Sequence, residues 1–193
     1  ICAIVGRKNE YGKLEVLGLG KAESEGVIKG IVTNIDKTVF AIEKAVKEAS
    51  DMSGIDIGMV NVGIAGQHIR SCIYDGSITR ISQEDEISIE DVNRLTEDMY
   101  RIVIPPGSEI IHVMPQDYIV DYEEGIKDPV GMSGVKLEAD FHIITAQTSA
   151  INNINKCVRR GGLEIEDLIL EPLASSLAVL SEEEKEAGVC LID

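Results

Sequence analysis

What most limits the folds open to this chain is a change of hydrophobic period, from two to about 3.6 and back, repeated along its 193 residues. Ile35, Val39, Ile42, Val46 and Ala49 fall four, three, four and three residues apart, which stacks them on one face of a helix. Thr33 with Asp36 reads as a capping box at its start, and Gly54 as its stop. Ahead of it, residues 1–5 and 14–20 read as strands of a hairpin that turns through Asn9-Glu10-Tyr11-Gly12. Behind it, residues 59–64 read as a third strand, with Gly63 and Gly66 at its exit. Hairpin, helix and strand make one α/β unit.

After Gly66 the texture shifts, and a domain boundary is expected near there. Residues 69–81 alternate polar and apolar, and Asp75-Gly76 inside them suggests a bulge or tight turn. Ser88 opens a second helix with Asp91 as its box partner, and Pro105-Pro106 stops it. Its stripe is Val92, Leu95, Met99 and Ile102. Burying each such side chain is worth about 1.5 to 3 kcal/mol, so this helix is expected to cover a sheet. Residues 110–120 and 135–145 read as strands, with a charged loop at 121–128 between them. A third helix buries Ile151, Ile154 and Val158 and stops at Gly161-Gly162. Then come a short buried strand at 168–170 and a helix at 173–180 with Pro172 in its first turn. Glu182-Glu183-Glu184 reads as a solvated loop, and residues 189–193 as an apolar strand.

Charge narrows the partners. With 18 basic and 34 acidic residues the net charge is -16, so nucleic acid and anionic lipid surfaces are repelled, and no nucleic-acid partner is expected. Cys2, Cys72, Cys157 and Cys190 form no C-x-x-C pair and are expected as buried, reduced thiols. His68, His112 and His142 lack i, i+4 spacing, and no metal is predicted. No apolar run approaches the roughly 20 residues that cross a bilayer, since the longest, 168–180, is broken by Glu171 and Pro172. No signal peptide is read, and both ends are expected to be cut through strands.

Two motifs fail on spacing. Leu17-Gly18-Leu19-Gly20-Lys21 invites a phosphate-loop reading, which needs a glycine at Glu15 and a hydroxyl at Ala22. Gly26 and Gly30 read instead as freedom for a loop entering the first helix. Gly131-Met132-Ser133-Gly134 misses the G-x-S-x-G spacing of a nucleophile elbow.

A third pattern holds. Leu168-Ile169-Leu170-Glu171-Pro172-Leu173-Ala174, followed by a strand ending in Asp193, resembles the ATPase core of actin, sugar kinases and heat-shock chaperones. That resemblance implies that Glu171 lies beside the γ-phosphate and that Asp193 opens a glycine-rich phosphate loop, where a carboxylate orients water or holds hydrated Mg²⁺. Within this superfamily the chain is similar to the FtsA family of bacterial cell-division proteins. The likeness is carried by Val62-Gly63-Ile64-Ala65-Gly66-Gln67-His68-Ile69, by Ile111-His112-Val113-Met114-Pro115-Gln116-Asp117-Tyr118, and by residues 128–134 running into Leu137-Glu138-Ala139-Asp140-Phe141-His142-Ile143-Ile144-Thr145. Lys156-Cys157-Val158-Arg159-Arg160-Gly161-Gly162-Leu163 and Cys190-Leu191-Ile192-Asp193 extend it over essentially the whole chain.

The resemblance implies an α/β fold class: a partial actin-like ATPase domain, 1A, at residues 1–66 and 148–193. Residues 67–147 would be the inserted α+β domain of SHS2 type, called 1C. It further implies a cytoplasmic protein at the division site on the inner face of the membrane, which polymerises, tethers FtsZ and recruits later division proteins. ATP and Mg²⁺ are its expected cofactors in the full-length protein and none is expected in this fragment, which lacks the flanking phosphate loops and is not expected to act as an enzyme. FtsZ contacts and the membrane-anchoring amphipathic helix belong to segments absent here. Self-association and partner contacts fall to the insert, with Ile69, Ile73, Ile111, Val113 and Met132 as candidates on exposed edge strands near residues 69–78 and 110–120. Two alternatives stand beside this: a pilus-assembly relative that shares the insert, and an ATP-dependent kinase or chaperone ATPase.

Overall fold

The computed structural model describes residues 1–80 and 86–192, so Asp193 and position 81 of the expected 69–81 stretch lie outside the described residues. The chain divides into two compact units, Ile1–His68 with Ser149–Asp193, and Ile69–Thr148.

In the first unit, β1 (Cys2–Lys8) and β2 (Leu14–Lys21) form an antiparallel hairpin. Its turn is held by the Asn9 side-chain oxygen, which accepts the N–H groups of Tyr11 at 3.0 Å and Lys13 at 2.9 Å. Helix α1 (Ile35–Ser53) packs on this hairpin so closely that a Cβ on Gly18 or Gly20 would collide with the carbonyl oxygens of Ala49 and Ala45. The failed phosphate loop is thus a helix-contact surface. The cap of α1 is Asn34, one residue later than expected: its side chain accepts from Lys37 N–H at 3.0 Å, while the Thr33 hydroxyl donates to the Gly26 carbonyl at 3.1 Å. Gly54, at φ 68°, closes the other end. Between β2 and α1 the expected loop contains a small hairpin, β3 (Val27–Ile28) and β4 (Ile31–Val32). Its two-residue turn needs positive φ at both positions, 50° at Lys29 and 77° at Gly30.

Strand β5 (Met59–Ile64) pairs in parallel with a strand that starts at Glu164 rather than 168, because Glu164 opposes Met59. The other face of α1 meets the helix Thr148–Arg160 around Val39, Ile42, Cys157, Val158 and Leu163.

In the second unit, β6 (Ile69–Thr79), the strand Ser108–Val120, Glu123–Ile126 and Lys136–Gln147 form one antiparallel sheet. Numbered in chain order, with α2 (Ile89–Met99) following β6, they are β7 (Ser108–Val120), β8 (Glu123–Ile126) and β9 (Lys136–Gln147), and the sheet order is β6-β9-β7-β8. Helix α2 covers one face, and Leu95 and Met99 bury with Ile78, Val113, Tyr118, Leu137, Phe141 and Ile143. The capping box of Ser88 and Asp91 is formed.

Two expectations fail here for packing reasons. Asp75-Gly76 makes no bulge, since β6 pairs with β9 without a register shift. Gly76 is a glycine because a Cβ would stand 2.8 Å from the Phe141 ring and 3.1 Å from Met99. The charged loop 121–128 contains β8, turned back by Asp121 at φ 45° and Tyr122 at φ 78°, with the Asp121 carboxylate accepting the N–H groups of Val135 and Lys136.

The parallel partner of β5 is β10 (Glu164–Leu170), and α3 is the helix Thr148–Arg160 that precedes it. Next come α4 (Glu171–Val179) and α5 (Glu182–Ala187). The acidic triplet is therefore the first turn of a helix, where negative charge suits the exposed N–H groups, and Ser181 with Glu184 caps it. Residues 188–192 form no strand, because no strand among the described residues lies beside them to take their hydrogen bonds. Only Cys157 is a fully buried thiol; Cys72 is half-buried, and Cys2 and Cys190 are exposed.

Arg80 ties the second unit together. Its guanidinium donates to Asp91 Oδ2 at 3.0 Å, the Gly134 carbonyl at 2.8 Å and the Glu86 carbonyl at 2.6 Å. Removing the cation leaves those acceptors and the Asp91 carboxylate without it, so Arg80→Ala is expected to cost about 3 kcal/mol in urea unfolding. The Ser88 backbone N–H, its hydroxyl and Arg80 hold the Asp91 pKa below its ordinary 3.8. A depressed carboxylate pKa adds stability that is full above the ordinary value and lost as pH falls through the folded one. The stability gap between wild type and Asp91→Asn is therefore expected to be widest near neutrality and to close in acid below pH 3.8.

Candidate functional site

Strand alternation gives the second unit's sheet two faces. The face under α2 takes Tyr74 and Ile78 from β6, and Leu137, Ala139, Phe141 and Ile143 from β9. The opposite face takes Ile69, Ser71, Ile73, Asp75 and Ser77 from β6, with Glu138, Asp140 and His142 beside them on β9. The five candidates from sequence divide accordingly. Ile69 and Ile73 lie on the open face, Ile73 at 63% exposure. Val113 is buried under α2, Met132 packs against that same core, and Ile111 sits half-buried where the β7–β9 register shifts. The structure does not bring them into one patch.

What it does assemble on the open face is a polar row. Gln116 Nε2 lies 3.4 Å from His142 Nδ1, and His142 Nε2 hydrogen-bonds Ser71 Oγ. Next to this row Asp75 stands directly opposite Asp140, two exposed like charges in register. Sequence reasoning missed Ser71, Gln116, His142 and the Asp75/Asp140 pair. Their separations of 26 to 71 residues carry no local signal, and only the register joins them.

The other sequence candidates belong to the first unit. Glu171 begins α4 at the C-terminal end of β10, the end of a parallel pair where open α/β sheets take ligands. Its side chain lies over Gly63, whose added Cβ would stand 3.1 Å from Glu171 Cγ, and its carboxylate is exposed. That position fits a group that orients water or a hydrated cation. Asp193, its expected companion, lies outside the described residues.

His68 is only 3% exposed, with neither ring nitrogen hydrogen-bonded among the described residues. Burial pushes its pKa below the ordinary 6.5. No group of three or more potential metal ligands occurs among the described residues.

Residues 66–145 match the family model for the SHS2 domain inserted in FTSA. By fold the chain resembles a chain of a PilM-PilN type IV pilus biogenesis complex, with a TM-score of 0.56 over 91% of this chain and 46% of that one, at 13% identity. Three two-stranded sheets, two of them hairpins and one parallel, with α1 and α3 and interrupted in sequence by an SHS2 insert, fit a partial actin-like ATPase fold. Sequence then narrows the class. Over all 193 residues the chain is 45% identical to the cell division protein FtsA of Pseudomonas aeruginosa, 44% to that of Neisseria meningitidis and 37% to that of Escherichia coli. The chain is thus similar over its whole length to FtsA cell division proteins, and it spans 46% of the length of each of these relatives. The pilus alternative is not favoured, because 13% identity carries the fold alone.

A buried histidine with a lowered pKa binds its proton more readily once unfolded, so folding stability falls as pH drops below 6.5. Urea unfolding at pH 7.5 and 5.5 is expected to show a steeper loss in wild type than in His68→Leu.

Proposed function

We propose that this chain works within an actin-like cell-division protein that polymerises on the inner face of the cytoplasmic membrane, tethers FtsZ and recruits later division proteins. The second unit serves as its self-assembly and partner-binding module. The observation that carries this reading is the outer edge of β6, with which no strand among the described residues pairs, beside a sheet face on which Ile73 is exposed, since a strand edge and an exposed isoleucine are what an added chain can engage. Among the described residues no helix is long and apolar enough to cross a membrane, and membrane attachment falls to an amphipathic C-terminal helix of the longer protein.

ATP and Mg²⁺ act in that longer protein. Glu171 there orients water or hydrated metal, while backbone amides from phosphate loops on either side of this chain cradle the phosphates. The 193-residue chain by itself binds ATP weakly and is no enzyme, and the full-length protein is at most a slow ATPase.

In the full-length protein, Glu171→Ala is expected to lower ATP turnover about tenfold or more with the melting temperature unchanged, because the side chain is exposed. Deleting residues 69–148 is expected to leave FtsZ co-sedimentation with vesicles in place while abolishing self-association. Retained self-association would overturn the assembly role of the second unit.

A further inference from the structure

The sheet of the second unit has two open edges, and they are not equivalent. On β7 the outer edge is guarded: Pro115 offers no N–H, the pairing with β9 is irregular at Ile110/His112 and at Pro115/Tyr118, and β8 covers the far end. Strand β6 has none of these devices. It runs for 11 residues in unbroken register with β9, contains no proline, and no strand among the described residues pairs with its outer edge.

We infer that β6 pairs antiparallel with β6 of a second copy of this chain, about a two-fold axis at Ile73, joining the two sheets into one of eight strands. The inference rests on the assembly role proposed above. Partners in a continuous sheet must share a face, so only axes that pair odd with odd and even with even residues are allowed. An axis at Asp75 sets that carboxylate against its own copy, where like charges repel. An axis at Tyr74 sets Asp75 against Ile73, leaving a carboxylate facing an apolar group. An axis at Cys72 pairs only residues 69–75 and again sets Asp75 against an isoleucine, Ile69. The axis at Ile73 pairs residues 69–77 and sets the exposed Ile73 against itself. It also places Ser71 opposite Asp75 of the other copy.

That last pairing uses the polar row. Ser71, hydrogen-bonded to His142 within its own sheet, presents its hydroxyl to the facing Asp75, which already stands against Asp140 of its own sheet. Each copy carries a net charge of -16, so their long-range repulsion opposes the approach and salt screens it. Association is expected to strengthen as salt is raised.

The test replaces Cys2, Cys72 and Cys190 by serine in the 193-residue chain, leaving only the buried Cys157, and adds Ile73→Cys. Opposed residues at the axis lie about 4.5 to 5.5 Å apart at Cα, within disulfide reach, so mild oxidation is expected to give a crosslinked dimer. Ser77→Cys in the same background is expected to give none, since the two copies of residue 77 lie about 27 Å apart in this register. Ile73→Lys is expected to weaken association about tenfold by sedimentation at 0.5 M salt, with an unchanged melting curve at so exposed a site. Association that persists without an Ile73→Cys crosslink, or a Ser77→Cys crosslink of equal yield, overturns the register and leaves the assembly role standing. A chain that stays monomeric at every concentration and salt overturns both.

Discussion

Strand β9 is the member on which the second unit depends. It pairs with β6 along one side and with β7 along the other, and it supplies Leu137, Ala139, Phe141 and Ile143 to the buried face. These residues become a core only when α2 lies over them and β6 and β7 flank them. The fold must therefore close a loop of roughly 70 residues, whose entropy is repaid only when the whole sheet forms. Arg80, Asp91 and the carbonyls of Glu86 and Gly134 hold the entry to α2 against that sheet.

The first unit is organised by close approach. Gly18 and Gly20 let α1 lie directly on the β1–β2 hairpin, with the backbone of the helix occupying the space that side chains would fill. The opposite flank of α1 carries Val39 and Ile42 onto α3 and the parallel pair β5–β10. One helix thus serves two small sheets. That placement sets the C-terminal ends of β5 and β10 beside the first turn of α4, where Glu171 stands over Gly63.

Much of this was legible in local pattern. The stripe from Ile35 to Ala49, the Ser88–Asp91 box, the strand at Met59–Ile64 and the glycine stops at Gly54 and Gly161-Gly162 all follow from periodicity and capping chemistry, which act within a few residues. The errors share a cause. Gly76 looked like a turn glycine, and its reason is a neighbour distant in sequence, the Phe141 ring. The loop 121–128 hid a strand whose turn relies on positive φ at an aspartate and a tyrosine. The acidic run after Ser181 hid a helix, because a row of glutamates looks solvated whether it is helical or not.

By itself, then, the sequence determined the likeness to FtsA proteins and the longer helices and strands, whose signals are local. Tertiary structure alone decided which candidates share a surface. Val113 and Met132 turn inward while Ile73 turns out, and Ser71, Gln116 and His142 meet across three strands. The physical reason is that side-chain direction in a sheet is set by register, and register is a property of paired strands that no single strand contains.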